Sequence, residues 1–291
     1  MRNTTTILKT TTTPYKGKAE DIRSFAEWLR SEERSTGTIE KYVRDMKALL
    51  AYLDDRPITK ENVAEWKNHL LEQNYQPVTI NSMLASVNTY CRFTGIDCRI
   101  RLLRIQRRIF REETRELTKS DYEKLISAAH NNRKERLGLL IETIAGTGIR
   151  VSEVKFLTVE SIRSGHIQIS LKGKIREIFL PKKLRRKLLD YAKRKGIRSG
   201  EIFITKSGGS LSRKQIWAEM KALCKAAGVA ASKVFPHNLR HLFARVFYKV
   251  TKDVAKLSDL LGHSSIETTR IYLCSSGIEH AREIERLGLV S

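Results

Sequence analysis

The stretch Leu261-Gly262-His263-Ser264-Ser265-Ile266-Glu267-Thr268-Thr269-Arg270-Ile271-Tyr272-Leu273 sets a histidine at a helix start and a tyrosine near that helix's end. Ser264 and Glu267 have the S-x-x-E spacing of a capping box, in which side chains satisfy the orphan amides of a first helical turn. His263 then lies just before amides that attract anions. Cys274-Ser275-Ser276-Gly277 breaks the helix directly after the tyrosine. Taken alone, the histidine equally flanks a loop, and a tyrosine at helical spacing most often packs with its hydroxyl at the surface.

Charge narrows the choice. The 291 residues include 55 Lys and Arg against 32 Asp and Glu, a formal charge of +23. Such an excess repels itself unless a polyanion neutralises it, so nucleic acid is the leading partner. No run approaches the roughly 18 apolar residues of a spanning helix, and the first residues lack a hydrophobic signal core. The expectation is a soluble, cytoplasmic protein of two domains, at roughly 100 to 200 residues each. Cys91, Cys98, Cys224 and Cys274 have no CxxC spacing. They read as small buried hydrophobes, neither a zinc site nor a disulfide framework.

Upstream of the tyrosine segment, apolar spacing predicts helices over residues 236 to 250 and 252 to 261, and Ser212 with Gln215 caps another that ends at Gly228. Between His166 and Leu180 the period falls to two. Ile167, Ile169 and Leu171 alternate before Lys172-Gly173-Lys174, and a second strand runs from Ile175 to Leu180. This predicts a β-hairpin with lysines at its tip. Pro181 begins a helix, and Ile202 to Ile204 suggests one more short strand before the Gly208-Gly209 turn. Thr118 with Asp121 opens the domain with a capped helix. A very apolar run, Leu137 to Ala145, then ends at Gly146-Thr147-Gly148, where glycines let backbone approach closely.

Ahead of this domain the helical period returns. Ile22, Phe25, Ala26 and Leu29 form one apolar stripe, and Ile39, Tyr42, Val43, Met46, Leu49 and Leu53 form the next. Thr59 caps a third helix carrying Val63, Trp66 and Leu70, and Pro77 starts a fourth carrying Ile80, Leu84, Val87 and Cys91. The expected divisions are a mobile, threonine-rich arm over residues 1–15, a compact helical domain over 16–98, a basic linker over 99–116 and a second domain over 117–291. The linker has seven arginines in the seventeen residues from Arg99 to Arg115. Arg99, Arg101, Arg104, Arg107, Arg108 and Arg111 are expected to track a DNA backbone, with a merely solvated tether as the plainer alternative.

A phenol with a pKa near 10 is mostly protonated at neutral pH, so its attack on phosphorus needs cations and a proton acceptor nearby. His237 and Arg240 in His237-Asn238-Leu239-Arg240-His241 lie at i and i+3, on one helix face. An arginine fork there suits two nonbridging phosphate oxygens. Arg150, after the Gly146-Thr147-Gly148 approach, offers a second guanidinium; pairing with Glu153 is its alternative use. Lys172 at the hairpin tip is within reach of a leaving 5′ oxygen as a general acid, with a merely solvated turn lysine as the plainer alternative. No carboxylate cluster for two metals is evident, and no metal or other cofactor is expected.

Together these segments resemble the tyrosine recombinases of the Xer/phage-integrase family over roughly residues 20 to 290. Gly146 to Glu153 is similar to the family's first-arginine box, His237 to His241 to its HxLRH box, and Leu261 to Leu273 to its tyrosine box. The resemblance implies a mainly α fold: an N-terminal four-helix SAM-like core-binding domain, and a C-terminal α+β catalytic domain with a small antiparallel hairpin. It implies catalytic roles for Arg150, Lys172, His237, Arg240, His263 and Tyr272. Tyr272 would attack the scissile phosphate and leave a 3′-phosphotyrosine, without ATP or catalytic metal. The hairpin is a residue tighter than the usual lysine turn, so Lys174 remains an alternative acid. Cys274 stands where relatives often have histidine. Ile278, Ala281, Ile284 and Leu287 mark a final helix over 278–287 that, by the resemblance, docks into a neighbouring subunit of a homotetramer on double-stranded DNA. A type IB topoisomerase and a non-catalytic DNA-binding regulator are the competing classes.

Overall fold

Residues 15–17, 19–105, 115–171, 174–263, 265–273 and 285–288 are described by the computed structural model. The chain divides into two units, Met1–Arg107 and Arg108–Ser291.

In the first unit the four apolar stripes become α1 (Ala19–Ser31), α2 (Thr36–Leu53), α3 (Lys60–Glu72) and α4 (Pro77–Thr94). Thr59 caps α3 as expected, accepting from the Asn62 amide at 3.2 Å, and Pro77 opens α4. Phe25, Met46, Leu49, Trp66, Leu84 and Tyr90 close the core, all buried. Each such side chain removed from water contributes about 1.5–3 kcal/mol. Two polar side chains share this interior: Asp45 and Ser86 are both buried, and the Asp45 carboxylate is held by Lys41 Nζ at 2.7 Å and by the Ser86 hydroxyl at 2.8 Å.

Two expectations change here. Cys91 and Cys98, read as separate thiols, form a disulfide, with Cα atoms 6.1 Å apart. A seven-residue separation that folds back after Gly95, whose φ is +74°, hides this pairing from a search for CxxC spacing. The start of the expected linker is also no free tether. Asn88 and Asn81, two turns apart on α4, each hold one linker residue by both amide donor and carbonyl acceptor. Asn88 does so at Ile100 (3.0 and 2.9 Å) and Asn81 at Leu103 (2.9 and 2.7 Å). Ile100 is buried, whereas Arg99, Arg101 and Arg104 are exposed. Arg107, Arg108 and Arg111 lie outside the described residues, as does the arm up to residue 14.

The second unit begins with α5 (Lys119–Asn131), whose first turn is closed by the Thr118–Asp121 capping box, and α6 (Glu135–Thr147). A 3-10 turn over Val151–Phe156 and the short α7 (Val159–Ser164) lead into β1 (His166–Leu171) and β2 (Lys174–Phe179). The two strands are antiparallel, with Leu171 opposite Lys174 and Ile169 opposite Arg176. Then come α8 (Lys182–Arg194), α9 (Arg213–Ala227), α10 (Pro236–Thr251), α11 (Val254–Leu261) and α12 (Ile266–Leu273). The fold is mostly helical with one two-stranded sheet, as expected.

The strand expected over 202–204 is replaced by two isolated bridges, Thr158 with Glu201 and Ile204 with Ser210. The Thr205–Gly209 turn folds the chain back before a ladder can extend. The tyrosine helix also starts later than expected. It begins at Ile266, and the Ser265 hydroxyl accepts from the Glu267 amide at 3.3 Å. Ser264 itself lies outside the described residues, as do Lys172, Cys274 and most of the expected final helix.

Candidate active site

Gly148 ends α6 at φ +64°, a left-handed turn that side chains adopt at a cost. A Cβ there would lie 2.5 Å from a ring carbon of Phe243 on α10, so glycine is what lets α6 close against α10. The approach makes a bond: Arg240, on α10, donates Nη1 to the Gly148 carbonyl. Its Nη2 donates to the Leu261 carbonyl at 2.7 Å and lies 3.0 Å from Nε2 of His263. The Arg240 guanidinium is therefore buried and aimed by three groups from two segments far apart in sequence. Burial and the Arg150 charge lower its pKa, and the Tyr272 phenol and Glu153 oppose that shift.

Arg150 follows the same turn and is half-buried. Its Nη1 binds Glu153 Oε1 at 2.8 Å, and its Nη2 binds the Gly262 carbonyl at 3.0 Å. The two sequence readings of Arg150 thus hold together: it pairs with Glu153 and it faces the tyrosine segment. Glu153 is buried and takes a second guanidinium, Arg176 of β2, at 3.2 Å.

Tyr272 is 6% exposed and seated among three histidines. The His241 ring stacks on it with centroids 4.1 Å apart and planes 25° apart, His263 lies at 5.2 Å, and His237 approaches edge-on at 5.6 Å. The Arg240 guanidinium lies near the phenol, which raises the arginine's pKa. His263 holds Thr269 Oγ1 at 2.8 Å through Nδ1, and its pKa is lowered to about 4 by burial first and then by Arg240, Arg150 and Arg176. His237 is exposed.

Five of the six expected catalytic residues, Arg150, His237, Arg240, His263 and Tyr272, therefore converge. Lys172 lies outside the described residues, and Lys174 occupies the first position of β2. Sequence reasoning missed three participants. His241 closes the HxLRH box and was given no role there, although i+4 from His237 placed it on the same face. Thr269 orients His263, and Arg176 reaches the site from a strand whose alternation alone signalled an inward side chain. Among the described residues, no group of three or more His, Cys, Asp or Glu is placed to hold a metal ion. Positive charge at the site is supplied by arginine.

Residues 115–277 match the phage integrase family, and residues 22–94 match the phage integrase N-terminal SAM-like domain. The chain belongs to the phage integrase family and is a site-specific tyrosine recombinase, an enzyme that cuts and rejoins DNA strands through a tyrosine-linked intermediate. It is 28% identical to tyrosine recombinase XerA of Pyrococcus furiosus over 280 residues, 94% of this chain and 96% of that one. Over 146 residues it is 37% identical to tyrosine recombinase XerD of Brucella suis, covering 47% of each chain. In fold it is similar to a lambda integrase dimer bound to a core site. The TM-score is 0.69 at 20% identity, over 87% of this chain and 76% of that one. It is also similar in fold to the XerH recombinase bound to its difH substrate, with a TM-score of 0.66 at 20% identity over 92% and 84% of the two chains.

Proposed function

We propose that Tyr272 is the nucleophile and that Arg150 and Arg240 hold the scissile phosphate of a specific double-stranded DNA site. The convergence of both arginines on the tyrosine segment, Arg150 from the turn after α6 and Arg240 from α10, is the observation that carries this reading. Attack by the Tyr272 oxygen forms a phosphotyrosine bond to the 3′ side and breaks the bond to the 5′ oxygen. Charge that spreads over the nonbridging oxygens in the transition state meets preorganised guanidinium donors. Metal is not called on, and the retained phosphodiester energy makes ATP unnecessary when a partner strand's 5′ hydroxyl reverses the step.

The histidines divide the remaining work. The Nε2 lone pair of His263 faces Arg240, so His263 orients that arginine. His237, exposed beside the phenol, takes its proton. Lys172 protonates the leaving 5′ oxygen, with Lys174 as the alternative acid. Residues 16–98 clasp the DNA, and the 99–116 arginines neutralise its backbone. The working unit is a homotetramer on DNA, joined through residues 278–287; a lambda integrase tetramer bound to a Holliday junction is one of the chain's fold relatives. No described helix is long and apolar enough to cross a membrane, and the cytoplasm, where the DNA lies, is the proposed compartment.

A nicked suicide substrate tests the reading, because loss of a short 5′ fragment traps the covalent intermediate. The wild-type chain should give an SDS-resistant protein–DNA adduct that Tyr272→Phe cannot give. No adduct on any cognate site, or an adduct that survives Tyr272→Phe, would overturn the assignment. Relaxation of supercoiled plasmid lacking a recombination site would shift the reading toward a topoisomerase.

A further inference from the structure

A third guanidinium lies in the interior of the second unit, and its bonding is incomplete. The Arg176 side chain is 7% exposed and makes one ion pair, Nη1 to Glu153 Oε2 at 3.2 Å. Its Nε and Nη2 are buried and have no acceptor among the described residues. Two unsatisfied donors on a buried cation are costly, so a purely structural role is a poor use of arginine here. Burial lowers the pKa of this group to about 10, against the pull of Glu153 and with the added push of Arg240 and Arg150.

The stem of Arg176 is also fitted to the tyrosine segment. Gly262 has φ +60°, and a Cβ on it would lie 2.5 Å from Arg176 Cδ. The same glycine's carbonyl accepts from Arg150 Nη2. Arg176 thus meets Arg150 through two bridges, the Glu153 carboxylate and the Gly262 backbone.

We propose that Arg176 is a positioning residue for strand cleavage: it clamps Glu153 from the side opposite Arg150 and so fixes the Arg150 fork for the scissile phosphate. The proposal rests on the phosphate-binding reading of Arg150 given above. Released from Arg176, the carboxylate keeps only the contacts that Arg150 itself makes, through its amide and its Nη1, and a misplacement of about 1 Å can cost on the order of a hundredfold in rate.

The experiment compares wild type, Arg176→Met, Arg176→Lys, Glu153→Gln and the Arg176→Met/Glu153→Gln double variant on the nicked suicide substrate, with Tyr272→Phe as control. The expected result for Arg176→Met is an adduct rate lower by tenfold to a hundredfold, with the Kd for site DNA within about threefold of wild type. Arg176→Lys, which keeps the charge, should recover part of the rate. The double variant should be no slower than the slower single, because both changes act on one link. Sulfur in place of the bridging 5′ oxygen gives a leaving group that needs no proton. It should leave the Arg176→Met defect in place, since the defect lies in phosphate holding. Unchanged cleavage in Arg176→Met, additive losses in the double variant, no recovery by Arg176→Lys, or rescue by the sulfur substrate would each overturn the proposal. An adduct in wild type that is lost in Tyr272→Phe keeps the nucleophile assignment standing in any of those cases.

Discussion

Nη2 of Arg240 lies 3.0 Å from Nε2 of His263. A guanidinium cannot accept a hydrogen bond, so Nε2 must be the acceptor and the imidazole must be neutral, with its proton on Nδ1 toward Thr269 Oγ1. The lowered pKa of about 4 agrees with that tautomer, since burial and neighbouring arginines both penalise a second positive charge. Nitrogen-detected NMR on ring-labelled protein at pH 7 should therefore show His263 as the Nδ1–H form. A cationic His263 at that pH would remove the basis for its orienting role.

The same shift has a consequence for stability. The unfolded chain takes up the His263 proton near pH 6.5, whereas the folded chain resists it until about 4. The unfolded state therefore binds more protons in that window, and folding stability falls as pH is lowered from about 6.5 to about 4. His263→Gln, which has no such proton to take up, should show a smaller fall in melting temperature over the same range. Equal slopes for the two proteins would place the pH sensitivity elsewhere.

Glu153 offers a separate thermodynamic test. It neutralises Arg150 and Arg176 from a buried position and accepts the Arg150 amide at 2.9 Å. Glu153→Gln keeps the size and removes the charge, leaving the buried Arg176 without its counterion. Breaking a buried pair in this way costs about 3–5 kcal/mol, and Arg150's partial exposure to water puts the expected loss at the lower end. Urea unfolding measures it directly, and a midpoint unchanged from wild type would show that the carboxylate is not a required counterion.

Gly262 is constrained twice, by its φ of +60° and by Arg176 packed where a Cβ would stand. Gly262→Ala should cost roughly 1–2 kcal/mol from the left-handed backbone alone. It should also push Arg176 aside and slow cleavage by about as much as Arg176→Met does, with binding of site DNA retained. Cleavage at the wild-type rate in folded Gly262→Ala would mean that the fit between these two residues is incidental.

What the sequence made legible follows from locality. Helices α1 to α4 were readable because apolar side chains three and four apart declare one buried face, and Thr59, Thr118 and Ser212 declare helix starts through bonds to groups three residues away. Arg150, His237, Arg240, His263 and Tyr272 were readable because each sits in a short motif whose residue types suit one chemistry. Arg176 was not, since its partners Glu153 and Gly262 are remote in sequence and nothing in the hairpin itself calls for a buried cation. The Cys91–Cys98 bond likewise depends on how the chain returns after Gly95.

The Asn81 and Asn88 clamps bear on how the basic segment meets DNA. By tying down the backbone at Leu103 and Ile100, they order Arg99, Arg101 and Arg104 before any DNA arrives, so less conformational entropy is lost on binding. Each phosphate that is no longer neutralised should reduce the slope of log K against log salt by about 0.9. Replacing Arg99, Arg101 and Arg104 by alanine should therefore flatten the slope in proportion to the number of phosphates those arginines neutralise. Asn81→Ala with Asn88→Ala should behave differently. The charges remain, so the slope should hold while affinity falls at every salt concentration, as fluorescence anisotropy titrations over a range of salt would record. If the asparagine variant flattened the slope, or the arginine variant did not, the ordered segment would not be a backbone-tracking element.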